Sequence, residues 1–185
     1  MKLLIIPFCL LLLLSSCTKD RDVRWMDKAT DTLQVYNGIL KVNEFVAKGS
    51  SFVSEYGTTT DWFEIFNSSA ESISMANGNW YVTDDLTNPR KYEMPAVTIP
   101  PHGFLIVACD GLNSYQKQVH ASFGLSASGE QIGIFYALPD LSMMAVDTLT
   151  YPAMTDKGFS YGRLPDGADN WTFFAQPTPG TANHY

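Results

Sequence analysis

Acidic side chains are the most chemically versatile groups of this chain, and three of them lie in turns where oxygen ligands can collect. Asp84 and Asp85 precede Asn88-Pro89, and Asp61 follows three consecutive threonines. Calcium takes about six to eight oxygen ligands, and extracellular modules bind it weakly. The sequence indicates no cofactor but leaves open weak Ca²⁺ binding by Asp61, Asp84 and Asp85. The alternative is that Asp84 and Asp85 cap their turn.

Nucleophilic catalysis needs a serine or cysteine held beside a base. The segment Gly124–Gly129 resembles a nucleophile elbow, but Ser128 occupies the position where that motif requires glycine, and no helix pattern follows. The three histidines lack metal-ligand spacing, and nothing in the sequence supports a dyad of Cys109 and His120. We therefore expect the protein not to be an enzyme.

Adjacent aromatic residues raise the question of a binding surface. Trp80-Tyr81 and Phe173-Phe174 each put one ring on either face of a strand, because strand side chains alternate. Rings inside strands usually pack in a core. Rings on a second, outer face would form an apolar patch for a partner. The sequence leaves both interpretations open for these four residues.

The first 16 residues have the pattern of a secretory signal peptide. Lys2 is followed by the apolar run Leu3–Leu14, which is too short to cross about 30 Å of hydrocarbon. Its end, Leu14-Ser15-Ser16-Cys17, resembles a bacterial lipobox, and this resemblance implies cleavage before Cys17 and lipidation of its thiol. Several acyl chains would anchor the protein stably to a membrane. Cys109 then remains as a lone cysteine, which we expect to be buried.

Residues 17–32 are expected to form a lipidated cysteine and a flexible tether, since Thr18–Asp22 is charged and polar. No aspartate directly follows Cys17, which favours the outer membrane over retention at the inner one. The Lys19-Asp20 pair is similar to surface-export signals of some Gram-negative lineages. The sequence leaves open whether the protein faces the surface or the periplasm. Residues 33–185 form the predicted domain.

Short apolar or alternating runs separated by Gly, Pro, Asn and Asp predict an all-β domain, a sandwich or barrel. A short helical turn is expected within Gly111–His120. The predicted strands lie near residues 39–46, 62–66, 79–83, 104–109, 131–136, 146–150, 159–163 and 171–174, with a short one over 72–75.

Two glutamates interrupt apolar strand faces. If side chains simply alternate, Glu44 shares a face of its strand with Val42 and Val46. Glu64 likewise lies between apolar residues on one face of its own strand. A buried carboxylate without a partner costs several kcal/mol. Each glutamate must therefore be hydrogen-bonded, paired with a cation or turned out by a bulge. We expect Glu44 in particular to accept hydrogen bonds from backbone or from Arg163.

Charge limits the partners of this domain. The chain has 12 basic and 19 acidic residues and a net charge of −7. Binding of nucleic acid through a basic surface is therefore not expected. The expected partners are a membrane, reached through the lipid at Cys17, and an unknown protein or glycan.

Eight segments, taken in order, carry a resemblance to a known family. They are Val42–Ala47, Asp61–Asn67, Gly78–Asp85, Asn88–Tyr92, Ile99–Leu105, Leu125–Glu130, Tyr161–Gly167 and Pro177–Asn183. Together they resemble the lamin-tail domain, an Ig-like β-sandwich.

The resemblance covers roughly residues 36–185 and implies an Ig-like fold and a binding or tethering role in the cell envelope. We therefore expect a non-enzymatic, lipid-anchored protein whose sandwich binds protein or glycan. The alternative is an accessory domain or a weak metal-dependent hydrolase that uses the acidic loops. Fold alone does not decide between them.

Overall fold

A computed structural model describes residues 36–185. The signal peptide predicted over 1–16, Cys17 with its tether, and residues 33–35 of the predicted domain lie outside the described residues. The thirteen strands of the described part are β1 (Leu40–Val46), β2 (Asp61–Asn67), β3 (Ile73–Ser74), β4 (Trp80–Thr83), β5 (Tyr92–Glu93), β6 (Thr98–Ile99), β7 (Phe104–Cys109), β8 (Ser114–Tyr115), β9 (Val119–His120), β10 (Glu130–Ala137), β11 (Met143–Tyr151), β12 (Ser160–Arg163) and β13 (Trp171–Phe174).

The strands form two large sheets and one small one. The seven-stranded sheet has the order β13-β12-β1-β2-β7-β9-β8, the four-stranded sheet β11-β10-β4-β5, and β3 pairs with β6. Neighbouring strands are antiparallel except β7 and β9, which are parallel. The expected all-β architecture is confirmed, and the two large sheets are consistent with a β-sandwich.

A continuous hydrophobic core takes side chains from both large sheets. Apolar residues supply it because alternate residues of a strand point to one face. From the seven-stranded sheet come Leu40, Val42, Phe45, Phe63, Ile65 and Val107, and from the four-stranded sheet Trp80, Val82, Ile132, Ile134 and Val146.

A β-bulge in β1 changes the alternation that the sequence predicts. The register with β2 shifts between Val42 and Glu44, so that Val42 and Phe45 both lie in the core. Glu44 is turned to the outer face, where it lies opposite Glu64 on β2. The expectation that Val42 and Glu44 share a face is therefore wrong, because a bulge inserts one extra residue into the strand.

The nine predicted strands are observed, with ends that shift by up to three residues. The helical turn expected within Gly111–His120 is wrong, since β8 and β9 occupy that segment. These strands have only two residues each, too few for an alternating pattern to be recognised in the sequence.

Candidate functional site

Four side chains stand on one face of the β12–β13 hairpin. The antiparallel register puts Tyr161 opposite Phe173 and Arg163 opposite Trp171. Directly opposed residues share a face, and residues two apart in one strand do so as well. The register of this pair therefore brings three rings and one guanidinium together at the end of the seven-stranded sheet.

Tyr161 contacts both of the other rings, stacking on Trp171 and lying tilted against Phe173. Its ring centroid lies 5.2 Å from that of Trp171, with an interplanar angle of 25°, and 4.6 Å from that of Phe173. The guanidinium carbon of Arg163 lies 4.6 Å from the ring centroid of Trp171, within cation–π range. Phe45 supports Tyr161 from the core through an edge contact at 6.0 Å. We refer to Tyr161, Trp171 and Phe173 as the aromatic ladder.

The aromatic ladder is partly open to solvent. Phe173 is 41% exposed, and Tyr161 and Trp171 are intermediate in exposure. Strand β13 has no neighbour on its outer side in the described sheet. The ladder therefore combines supported rings with access from one side, which suits binding of an apolar surface.

Arg163 is held firmly in place beneath the aromatic ladder. Its Nε donates to the carbonyl of Val42 at 2.7 Å, and its Nη2 contacts Asp147 Oδ2 at 3.0 Å. Its Nη1 donates to the carbonyl of Ala168 and to Asp169 Oδ1, at 2.6 and 3.1 Å. All of these partners differ from Glu44 and Glu64, so Arg163 is not the cation partner that the sequence analysis allowed for Glu44.

Glu44 lies on the outer face of the sheet, where the C-terminal segment, residues 175–185, covers it. Its carboxylate accepts hydrogen bonds from Ser160 Oγ, from the Thr178 backbone N–H at 3.1 Å and from Thr178 Oγ1 at 3.0 Å. Burial raises the pKa of Glu44, and the hydrogen bonds from Ser160 and Thr178 counteract the rise. Backbone and hydroxyl donors thus take the place of a cation.

Glu64 is fully buried beside Glu44. It accepts a hydrogen bond from Asn43 Nδ2 at 3.1 Å and one from the Gly180 backbone N–H at 2.6 Å. Burial raises the pKa of Glu64 to about 8, and the nearby carboxylates of Glu44 and Asp166 add to the rise. The raised pKa favours the protonated form of this carboxyl, whereas the two hydrogen bonds that it accepts favour the ionised form.

The outer polar cluster, which we define as Asn43, Glu44, Glu64, Asp166 and Asn183, joins the C-terminal segment to the sheet. Asn183 Nδ2 donates to the carbonyl of Asn43 at 3.3 Å, and the Asn183 backbone N–H donates to Asp166 Oδ1 at 3.0 Å. These side chains bond one another instead of facing an open cleft. The arrangement therefore stabilises the fold by satisfying buried polar groups.

Two of the four aromatic residues proposed as a surface are buried, and that part of the prediction is wrong. Trp80 packs in the core against Tyr136, with ring centroids 4.9 Å apart. Phe174 is buried on the outer face, where Tyr185 lies 5.6 Å from it. Of the other two, Phe173 belongs to the aromatic ladder. Tyr81 is half-buried, with the Arg90 guanidinium 5.3 Å from its ring centroid.

The three aspartates considered for calcium have separate surroundings. Asp84 Oδ1 pairs with Lys91 Nζ at 2.5 Å. Asp85 Oδ1 accepts from the backbone and hydroxyl of Thr87, at 2.9 and 2.7 Å, which is the turn capping that the sequence also allowed. Asp61 lines a different cleft, of about 390 Å³. Within residues 36–185, no group of three or more His, Cys, Asp or Glu side chains is arranged to hold a metal ion.

His120 is fully buried and lies between two partly buried carboxylates, a cluster that sequence reasoning missed. Its Nδ1 lies 2.6 Å from Asp110 Oδ2, and its Nε2 lies 3.3 Å from Glu55 Oε1. The Nδ1 contact is a hydrogen bond, whereas the Nε2 contact is a longer approach that lacks hydrogen-bond geometry. This cluster ties the loop after β1 to the end of β7. Glu55 and His120 are 65 positions apart, so no local motif signals it.

Cys109 is buried, as expected, and burial raises the pKa of its thiol well above the ordinary value. Its Sγ contacts the carbonyl of Val107 at 3.6 Å. A buried thiol with a raised pKa is a poor nucleophile, because the thiolate is the reactive form. The arrangement favours a packing role for this residue.

The chain matches no protein-family model and no curated protein sequence. In the part of the chain that the structure describes, no helix is long and apolar enough to cross a membrane.

Proposed function

We propose that this protein is a non-enzymatic, lipid-anchored cell-envelope protein whose β-sandwich serves as a binding module for a protein or glycan. The aromatic ladder is the observation that carries the proposal. It offers rings that are supported from beneath by Phe45 and Arg163 and are open on one side, with Phe173 41% exposed. Rigid rings of this kind supply much of the binding energy at interfaces.

The surroundings of the acidic residues support a binding role over catalysis. Glu44 and Glu64 accept hydrogen bonds from the C-terminal segment, and Asp85 caps its own turn. A general base needs access to a substrate proton. These three carboxyl groups are instead committed to contacts that hold the fold together.

We place the lipid anchor at Cys17 and propose the lamin-tail family for the domain, because of the lipobox-like sequence and the eight segments in order. The acylated cysteine would hold the protein at the outer membrane, and residues 18–32 would give the domain reach. The net charge of −7 disfavours a nucleic-acid partner for this copy of the fold.

Crosslinking in intact cells tests the binding role. We expect the wild-type chain to capture a specific partner, and Phe173→Ala to capture at least about tenfold less, since contact residues at the centre of an interface dominate its energy. Tyr115→Ala is the matched control, because Tyr115 is 44% exposed and lies in β8, at the opposite edge of the same sheet. Equal capture by all three chains would refute a binding role for the ladder.

The anchor is tested separately in the same cells. Cys17→Ser is expected to abolish incorporation of labelled palmitate and to release the protein from the membrane fraction. Protease shaving of intact cells then reports whether the domain faces the surface or the periplasm. Unchanged membrane association of the serine variant would contradict the lipid anchor and would leave the aromatic ladder unaffected.

A further inference from the structure

The outer edge of β13 offers free backbone groups at the same residues that carry the aromatic ladder. The Leu164 N–H donates to the Asn170 carbonyl at 2.9 Å, just beyond the ends of β12 and β13. Along an antiparallel pair of strands, the residues that hydrogen-bond across the pair recur at every second position. Thr172 therefore bonds to β12, whereas the N–H and C=O groups of Trp171 and Phe173 point away from it. No turn or loop within the described residues bonds these outward groups.

The other edges of the two large sheets are protected against strand addition, and β13 is not. Strand β11 has a register shift opposite Ile134 and Phe135, and it carries Asp147, whose carboxylate points inward to Arg163. A bulge and an inward charge are known protections of sheet edges. Strands β5 and β8 have only two residues each. Strand β13 has four residues, Trp-Thr-Phe-Phe, and contains no charge and no proline.

We propose that the free edge of β13 binds an extended polypeptide strand, which adds to the seven-stranded sheet. The strand would hydrogen-bond with the outward backbone groups of Trp171 and Phe173. Its alternate side chains would lie on the aromatic ladder, as in other cases of β-strand addition. This inference rests on the proposed binding role and names the class of partner.

The geometry of the ladder favours a peptide over a sugar. Trp171 and Phe173 both contact the ring of Tyr161, so part of the surface of this ring is already covered. The most exposed ring is that of Phe173, which has no polar group to recognise hydroxyls. A peptide strand needs only apolar contact there, because the backbone of β13 supplies the hydrogen bonds.

The negative charge of this protein indicates which charge the peptide partner should carry. Asp169 lies two residues before β13, and its side chain is 96% exposed although one of its oxygens contacts Arg163 Nη1 at 3.1 Å. The whole chain carries −7. A strand with a basic residue beyond its apolar core is therefore complementary. A second copy of this chain is disfavoured because it has the same charge, and because a four-residue edge falls far short of the roughly 1,200–2,000 Å² of a stable interface.

A displayed library of random nonapeptides tests the proposal, with the full-length chain purified in detergent as the target. We expect enrichment of sequences that alternate apolar and polar residues and carry Lys or Arg at one end. Phe173→Ala should weaken binding of the selected peptides about tenfold, because it removes an aromatic contact. Phe173→Pro should weaken it at least about tenfold more, because it also removes an outward N–H.

The alanine and proline variants separate strand addition from side-chain stacking. Proline at position 173 leaves the bonds of Thr172 and Phe174 to β12 in place, because only an outward N–H is lost. Equal binding by the two variants would overturn strand addition, since only the side chain would then matter. Tyr115→Ala should bind as the wild type does.

Amide hydrogen exchange, followed by NMR on the unchanged chain, tests the same point even if the proline variant fails to fold. In the free protein the amides of Trp171 and Phe173 should exchange fast and those of Thr172 and Phe174 slowly. A selected peptide should slow the first pair at least about tenfold, because it supplies acceptors. Slow exchange of Trp171 and Phe173 in the free chain, or no change on adding peptide, would overturn the proposal.

Partner capture in cells and peptide selection together distinguish strand addition from the broader proposal of a binding role. Loss of partner capture by Phe173→Ala in cells, together with no peptide enrichment, would overturn strand addition and keep the ladder as a binding surface of another kind. No loss of capture by Phe173→Ala in cells would overturn the binding role, and strand addition would fall with it.

Discussion

Raising the pH should destabilise this protein through one carboxyl group, that of Glu64. The side chain is fully buried, and its pKa is raised from an ordinary value of 4.5 to about 8. Burial is the largest cause, and repulsion from Glu44 and Asp166 acts in the same direction. Hydrogen bonds from Asn43 and Gly180 oppose the rise but do not cancel it.

The direction of the effect follows from proton linkage. The folded state holds the proton of Glu64 more tightly than the unfolded state does, because its pKa is higher when folded. The stabilisation is therefore complete below about pH 4.5, falls as the pH rises, and is lost above about pH 8. One pKa unit corresponds to about 1.4 kcal/mol, so the loss between pH 5 and 9 is of the order of 4 kcal/mol.

Denaturant unfolding of the wild type and of Glu64→Gln, at several values between about pH 5 and 9, measures this loss. Glutamine does not titrate, so the free energy of unfolding of the variant should fall less steeply than that of the wild type. Groups that lie far from Glu64 and titrate in both chains cancel in the difference. Glu71→Gln is the control, because Glu71 is exposed, and its curve should follow that of the wild type.

Parallel curves would refute this reasoning. If the wild type and Glu64→Gln differ by a constant amount across the range, within the extrapolation error of about 10–15%, the Glu64 carboxyl is already ionised in the folded state. The two hydrogen bonds that it accepts would then outweigh its burial. A steeper fall for the glutamine variant would contradict the predicted direction.

Three further substitutions test other parts of the fold by the free energy of unfolding. His120→Ala should cost about 3 kcal/mol, because it leaves a cavity where a fully buried ring packed and removes the contact of that ring with Asp110, and amide exchange should quicken in the loop after β1. Gly162→Ala should cost about 1–3 kcal/mol, because its Cβ would lie 2.8 Å from a side-chain nitrogen of the C-terminal segment; Gly124→Ala, with no atom nearer than 3.8 Å, should not. Asp147→Asn should cost about 3 kcal/mol, whereas Asp169→Asn, which changes an exposed partner of the same guanidinium, should have little effect. An equal cost for either control would contradict the contact it tests.

The strand content could be predicted from sequence because it depends on neighbours within a few residues. The Asp61–Asn67 run places apolar side chains on both faces of β2, and turn residues mark where such runs end. The demand that Glu44 find hydrogen-bond partners also came from the sequence, since a carboxylate among apolar neighbours cannot stay unpaired. The lipid anchor at Cys17 and the lamin-tail family remain predictions.

Only the tertiary structure decided which partners these residues have. Thr178, which donates to Glu44, is 134 positions away in the chain. The bulge that turns Glu44 outward is a property of the β1–β2 pair and of neither strand alone. Local sequence patterns show which buried polar groups need hydrogen-bond partners. Strand pairing and the path of the chain determine which residues become those partners.

The aromatic residues proposed as a binding surface show most clearly what the sequence could decide and what it could not. The sequence identified Trp80-Tyr81 and Phe173-Phe174 as equivalent aromatic pairs. The structure buries Trp80 because β4 lies inside its sheet, between β10 and β5, and faces the core. Phe173 stays exposed because β13 is an edge strand, and Tyr161 joins it because the register places the two residues opposite each other. Position in the sheet, which no local pattern encodes, separates a core ring from a surface one.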